Sequence, residues 1–182
     1  MRFIGQVAIE RELFGPAAAQ MAYLFMTDED EFVEGTWDPE GGENAVILQP
    51  GSITVPTKSL TKGPTLYRMV KRLIKKRLVP EPCEFAVTLT PGDDPDLADD
   101  LNRMKWDDSQ KRSYLETING DKIGGTPMFI QNIEFPGPGQ WRLLLQLDSG
   151  TVPFTVNFGD AGVGYAFLSD DSLVGKFLWQ CC

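Results

Sequence analysis

Gln6, Gln131 and Gln146, set in or beside apolar stretches, are the residues of this sequence best suited to recognising a ligand. A side-chain amide offers donors and an acceptor, and burying it unpaired is costly. In an apolar strand it must therefore bond either a bound molecule or neighbouring backbone. The first reading is a polar cluster for a peptide or small molecule; the second is that each amide serves an adjacent strand or loop. Asp148, Asp160 and Asp170 stand near turns of the C-terminal third. Paired carboxylates do acid–base or metal work, but aspartate also closes turns onto its own backbone. The aspartate-rich run 91–100, PGDDPDLADD, supplies hard oxygen ligands. It lacks the glycine turn and closing glutamate of a calcium loop, and reads as a solvated loop opening a short acidic helix toward Trp106.

The glycine-rich run Gly159-Asp160-Ala161-Gly162-Val163-Gly164 exposes backbone N–H groups as a phosphate cradle does. It is neither a dinucleotide fingerprint before a helix nor a P-loop, and the next segment, Tyr165–Leu168, reads as a buried strand. Histidine is absent from the chain, which removes Ser-His-Asp and Cys-His catalysis and histidine-ligated metal sites. Cys83, Cys181 and Cys182 make no disulfide framework, and the terminal pair, with only Lys176 as a basic neighbour in sequence, reads as packing. The expectation is a non-enzyme with no metal and no cofactor.

At 182 residues the chain is long enough for one domain, residues 1–182, with a substantial core. Hydrophobic residues make up 42% of it, in no tract long enough to span a bilayer. The opening Met1-Arg2-Phe3-Ile4-Gly5-Gln6 lacks the apolar core and small-residue cleavage site of a secretory signal, so a cytoplasmic protein is expected. Net charge is −9, and its distribution is uneven. Lys58, Lys62, Arg68, Lys71, Arg72, Lys75, Lys76 and Arg77 lie in an acid-free stretch; removing these eight from 17 basic residues leaves nine against 26 acids, a body of −17. Such a body disfavours nucleic acid and favours a basic partner.

The elements that must carry these residues are mostly strands. Phe3–Ile9, Ala22–Met26, Ala45–Leu48, Cys83–Leu89, Trp141–Leu147, Val152–Asn157 and Tyr165–Leu168 have strand composition, and Gly175–Cys182 closes the chain as a docked aromatic segment. Met128–Gln131 comes after a tight turn at Gly124-Gly125, and 107–119 reads as a polar connection. Pro64–Val79 has helical periodicity through Leu66, Val70, Leu73 and Ile74, with Pro80 as its stop. Its basic face predicts an amphipathic core-packing helix or one that meets an acidic partner, nucleic acid or a membrane surface. Phe3–Val7 and Tyr23–Met26 echo Leu143–Leu147 and Tyr165–Leu168, with Gln6 and Gln146 at matching places. The fold class is therefore α+β: largely antiparallel sheets from two similar β-rich units, plus one amphipathic helix near 64–79.

Gly124-Gly125-Thr126-Pro127, Gln131, the strand Leu143–Asp148, Gly159–Gly164 and the ending Phe177-Leu178-Trp179-Gln180-Cys181-Cys182 together resemble the YwqG-like bacterial proteins. Phe3-Ile4-Gly5-Gln6 and Ala22–Phe25 are similar to further segments of that family. The resemblance covers about the last sixty residues clearly, and the first fifty as an echo. It implies an α+β, largely antiparallel fold without a family-wide enzymatic activity. Some similar small acidic bacterial proteins are immunity proteins that stand beside toxins.

The functional expectation is a cytoplasmic, non-enzymatic binding protein of immunity type that masks a basic toxin. The alternative is a small-molecule or peptide-binding module built on the glutamine-bearing strands. For the first reading the contact loop is 28–43, with Glu31 and Glu34 among its acids and Phe32 and Trp37 as apolar anchors. The competing loop, 93–100, has charge but only Leu97 as an anchor.

Overall fold

The computed structural model describes residues 1–27, 35–51, 58–60, 62–72, 77–99 and 104–182. Strands β1 (Arg2–Ala8), β2 (Ala19–Met26) and β3 (Asn44–Pro50) form an antiparallel meander, with a one-turn helix α1 (Arg11–Phe14) between the first two. Next come strands β4 (Tyr67–Arg72) and β5 (Arg77–Pro82), then helix α2 (Asp108–Ile118) and the two-residue strand β6 (Lys122–Ile123). A second meander closes the chain: β7 (Trp141–Asp148), β8 (Val163–Ser169) and β9 (Gly175–Gln180). Among the described residues, one seven-stranded sheet has the order β1-β2-β3-β9-β8-β7-β6, while β4 and β5 pair only with each other.

The two meanders share details of register. Gln6 stands opposite Tyr23 in β1–β2, and Gln146 opposite Tyr165 in β7–β8. Each ladder shifts by one residue at the same place, after Phe3 and after Leu143. They meet at β3–β9, where Val46 faces Gly175. A Cβ on Gly175 would lie 2.5 Å from Val46 Cγ1 and 3.1 Å from its carbonyl oxygen, so this junction depends on a residue without a side chain.

β8 is the centre of the molecule. Val163, Tyr165 and Phe167 point into one core with Phe129, Leu143 and Leu178. Ala166 and Leu168 point into the other, with Ile4, Leu24, Met26, Leu144, Phe158 and Phe177. A strand buried on both faces reads as a continuous apolar run rather than an alternating one, which is the pattern of Tyr165–Leu168.

The helix expected near 64–79 is not formed: Tyr67–Arg72 and 77–79 belong to the β4–β5 hairpin, Pro64, Thr65 and Leu66 lead into it, and Leu73 and Ile74 lie outside the described residues. The spacing of Leu66 and Val70 suits a helix, but as an even interval it equally suits one face of a strand. Cross-strand pairing decides the matter. Val70 faces Val79, and Glu81 bonds both Arg68 (3.3 Å) and Arg72 (2.9 Å) from the same face. Pro80 lies inside β5 rather than ending a helix, on an edge strand where the missing N–H is tolerated.

Further expectations differ from the structure. The connection expected at 107–119 is α2, started by a capping box in which the Asp107 carboxylate accepts from Gln110 N–H (2.8 Å) and the Gln110 side chain accepts from Asp107 N–H (3.0 Å). Its buried residues are Tyr114 and Ile118. The run 91–99 is a loop as expected, and the short helix expected toward Trp106 falls on 100–103, outside the described residues. Cys83–Leu89 and Val152–Asn157 run without forming ladder strands. In each case local composition suited the element, but no neighbouring strand or covering layer completed it.

Gly164 tests the central packing. A Cβ there would sit 2.7 Å from ring atoms of both Phe158 and Phe177. Gly164→Ala is expected to lower stability by about 1–3 kcal/mol in chemical denaturation, the usual cost of overpacking a core. An unchanged midpoint would mean that these rings are not held.

Candidate functional site

Gln146 is fully buried, and its amide is fully engaged. Its oxygen accepts from Met128 N–H (2.8 Å), and its nitrogen donates to the carbonyls of Gly120 (2.7 Å) and Ile118 (3.4 Å). Gln180, which sequence reasoning passed over, does the same one strand away. It accepts from Gln131 N–H (3.1 Å) and donates to Asn132 O (2.9 Å) and Glu134 Oε2 (3.1 Å). Gln131 is exposed, and its side chain donates to Cys181 O (2.6 Å). The structure thus brings Gln131 and Gln146 to one irregular segment that covers β8. Gln6 is exposed on edge strand β1 and shares none of these bonds.

The acid run is tied into the same region. Lys122 Nζ donates to Asp94 Oδ2 (2.6 Å), Ile118 O (2.7 Å) and Thr126 O (2.5 Å). Asp94 Oδ2 also accepts from Thr126 N–H (2.8 Å). Burial pulls the Lys122 ammonium below its ordinary range, against the hydrogen bond and charge of Asp94. Among the described residues no group of three or more Cys, Asp and Glu is placed to hold a metal ion. The Gly159–Gly164 turn packs inward: a Cβ on Gly162 would lie 1.7 Å from Phe158 O, so its backbone is pressed against protein and not laid open to an anion. Asp148 caps its own turn by accepting from Gly150 N–H (2.8 Å).

A different group surrounds Trp37. The turn from Gly35 to Asn44 is held from inside by Asn44, whose amide nitrogen donates to Thr36 O (2.9 Å) and Asp38 O (3.0 Å). Thr36 is buried, and its hydroxyl accepts from the Trp179 indole N–H (3.2 Å). Glu40 N–H donates to Asp38 Oδ1 (2.8 Å), Lys176 binds Glu40 Oε1 (2.8 Å), and Thr27 donates to Glu43 Oε2 (2.6 Å). Trp37 comes directly after buried Thr36 in the chain and is 45% exposed, with Asp38 and Glu40 beside it in sequence. The other expected contacts of this loop, Glu31, Phe32 and Glu34, lie outside the described residues. Chemically this is an aromatic anchor on a held turn with acid around it, suited to association and without a nucleophile–base pair.

Residues 12–177 match the sequence model of a family described as a domain of unknown function, DUF1963. The chain belongs to the DUF1963 family. The match takes in β2, β3, the β4–β5 hairpin, α2, β6, β7 and β8, while β1 lies before it, so the middle of the chain is family sequence. No curated protein and no solved structure matches the chain.

The Gln146 network yields one measurement and Tyr165 another. Gln146→Leu keeps the volume but strips partners from Met128 N–H and Gly120 O, so stability is expected to fall by about 1–3 kcal/mol for each group left unpaired and buried. A neutral result would place water or slack at this site. The Tyr165 hydroxyl donates to Met128 O (2.6 Å), and burial raises its pKa well above the ordinary phenol value of 10.0. The folded chain therefore keeps this proton while the unfolded chain loses it, so the contribution is intact below pH 10 and is lost as pH rises beyond it. Tyr165→Phe should flatten the decline of stability above pH 10; an unchanged slope would show that Tyr165 does not contribute to it.

Proposed function

We propose that this chain is a non-catalytic, cytoplasmic binding protein that masks a basic protein partner, with the Trp37 turn as its contact. The observation that carries this reading is the bracing of that turn. Asn44, Trp179, Lys176 and Thr27 brace its backbone and flanks, so Trp37, 45% exposed, is carried on a held turn beside Asp38 and Glu40 in sequence. An aromatic on a held turn loses less entropy on docking, and tryptophan is a preferred anchor of protein interfaces. Net charge of −9 speeds encounter with a basic surface and rejects acidic ones.

The finer assignment is an immunity-type protein that neutralises a toxin, supported by the resemblance of the C-terminal segments to YwqG-like proteins. We also read the two meanders as units of one plan; the shared Gln–Tyr pairing and shared ladder shift support it. The small-molecule or peptide alternative draws less support, because the amides of Gln131 and Gln146 are engaged with the chain's own backbone. No helix among the described residues is long and apolar enough to cross a membrane.

Capture from native-host extract with this chain as bait is expected to recover a basic protein. Trp37→Ala should then raise the dissociation rate by at least about tenfold, as loss of an interface anchor does. Reversing Glu31 and Glu34 to lysine should instead slow association and weaken its dependence on salt. Failure to recover a protein, alongside a small molecule that raises the melting temperature, would move the assignment to ligand binding.

A further inference from the structure

We infer that strands β4 and β5, with residues 83–90 after them, form an arm that docks on the acidic body of a second copy of this chain. The hairpin β4–β5 adds to no other strand. Its root is fixed: Thr155 N–H donates to Tyr67 O (2.8 Å), Cys83 N–H to Leu66 O (3.0 Å), and the Arg2 guanidinium lies 4.5 Å from the Tyr67 ring centroid. Beyond the root, Phe85, Val87 and Leu89 recur in residues 84–90 with the alternation of a strand, yet no strand among the described residues pairs with them. Phe85 contacts Phe154 at its near end, with ring centroids 6.2 Å apart. The rest faces solvent: Val87 is 74% exposed and Leu89 49%, and Leu78 and Met69 of the hairpin are exposed as well.

A strand-patterned apolar segment with a free backbone is a template for pairing, and adjoining exposed apolar side chains mark an association surface. Charge identifies the occupant. Between Tyr67 and Thr90 there are six basic residues and two acids, Glu81 and Glu84, a stretch of +4; with −9 overall, the remainder carries −13. Glu81 is already taken by Arg68 and Arg72, while Arg77 sits directly opposite Arg72 in the ladder, a like-charge pair that weakens an isolated hairpin. Among the described residues neither Lys71 nor Arg77 has an ion-pair partner. The acidic surface that answers this arm is the body of the same protein. Exchange of two arms about a two-fold axis satisfies both at once and closes the assembly as a dimer. This association does not use the Trp37 turn and is independent of the partner-binding reading.

Sedimentation velocity on the full chain tests it. The wild type is expected to be a dimer that dissociates as salt is raised. Val87→Asp with Leu89→Asp should give a monomer with unchanged circular dichroism and melting of the folded monomer, since both positions are exposed. Lys71→Glu with Arg77→Glu should weaken the dimer by at least about tenfold at low salt, the effect of reversing interface charge. Trp37→Ala should remain dimeric. A chain that is monomeric up to its solubility limit at low salt overturns the proposal, whatever else binds the arm. So does a dimer that survives both pairs of substitutions.

Discussion

Everything in this molecule is arranged around the burial of β8 on both of its faces. A strand whose six residues Val163–Leu168 are all buried needs a covering layer on each side as well as ladder partners on each edge. One layer comes from the N-terminal meander, brought round by the close contact of Val46 and Gly175, so that Ile4, Leu24 and Met26 share a core with Leu168 and Phe177. The other comes from the irregular chain around Met128–Phe135, whose Phe129 packs on Tyr165 and Phe167. Burial of this extent is the dominant stabilising term available to the fold.

The second layer creates a problem that the glutamines solve. Segment 128–134 forms no ladder, so its backbone N–H and C=O groups lie beside a sheet without the usual strand partners. Gln146, Gln180 and Tyr165 reach out of the sheet and supply them, at Met128, Gln131 and Asn132. Each side chain acts as a short substitute for a missing strand. The Lys122–Asp94 pair extends the same logic to the loop before α2, where one ammonium gathers the end of α2, Thr126 and the acid run.

Charge is partitioned where packing leaves freedom. The body is acidic, and Arg68, Lys71, Arg72 and Arg77 stand on a hairpin that joins no other strand among the described residues. Two surfaces of opposite character result: a braced turn that shows Trp37 with acid beside it, and a basic arm that shows Leu78, Val87 and Leu89. Neither is needed to cover β8. Their exposure makes them the parts of the chain suited to meeting other molecules.

Sequence by itself determined the strands that build the two meanders, because apolar runs bounded by Gly, Pro and Asp allow few other structures. It also marked Gln131 and Gln146 as amides needing partners, and Trp37 as an anchor within an acidic loop. It could not say that the partners of those amides were backbone, since that depends on chain that lies 18 residues from Gln146 at Met128 and 50 residues from Gln131 at Cys181. The middle of the chain was decided by tertiary structure alone. Leu66 and Val70 fit a helix and a strand equally well, and only the facing residues Val79 and Glu81 selected the hairpin. Conversely 107–119 had the capping signal Asp107 and Gln110, but its polarity hid a helix that needs only Tyr114 and Ile118 to dock. Where a segment buries little, its pattern is weak, and the contacts that choose its structure come from elsewhere in the fold.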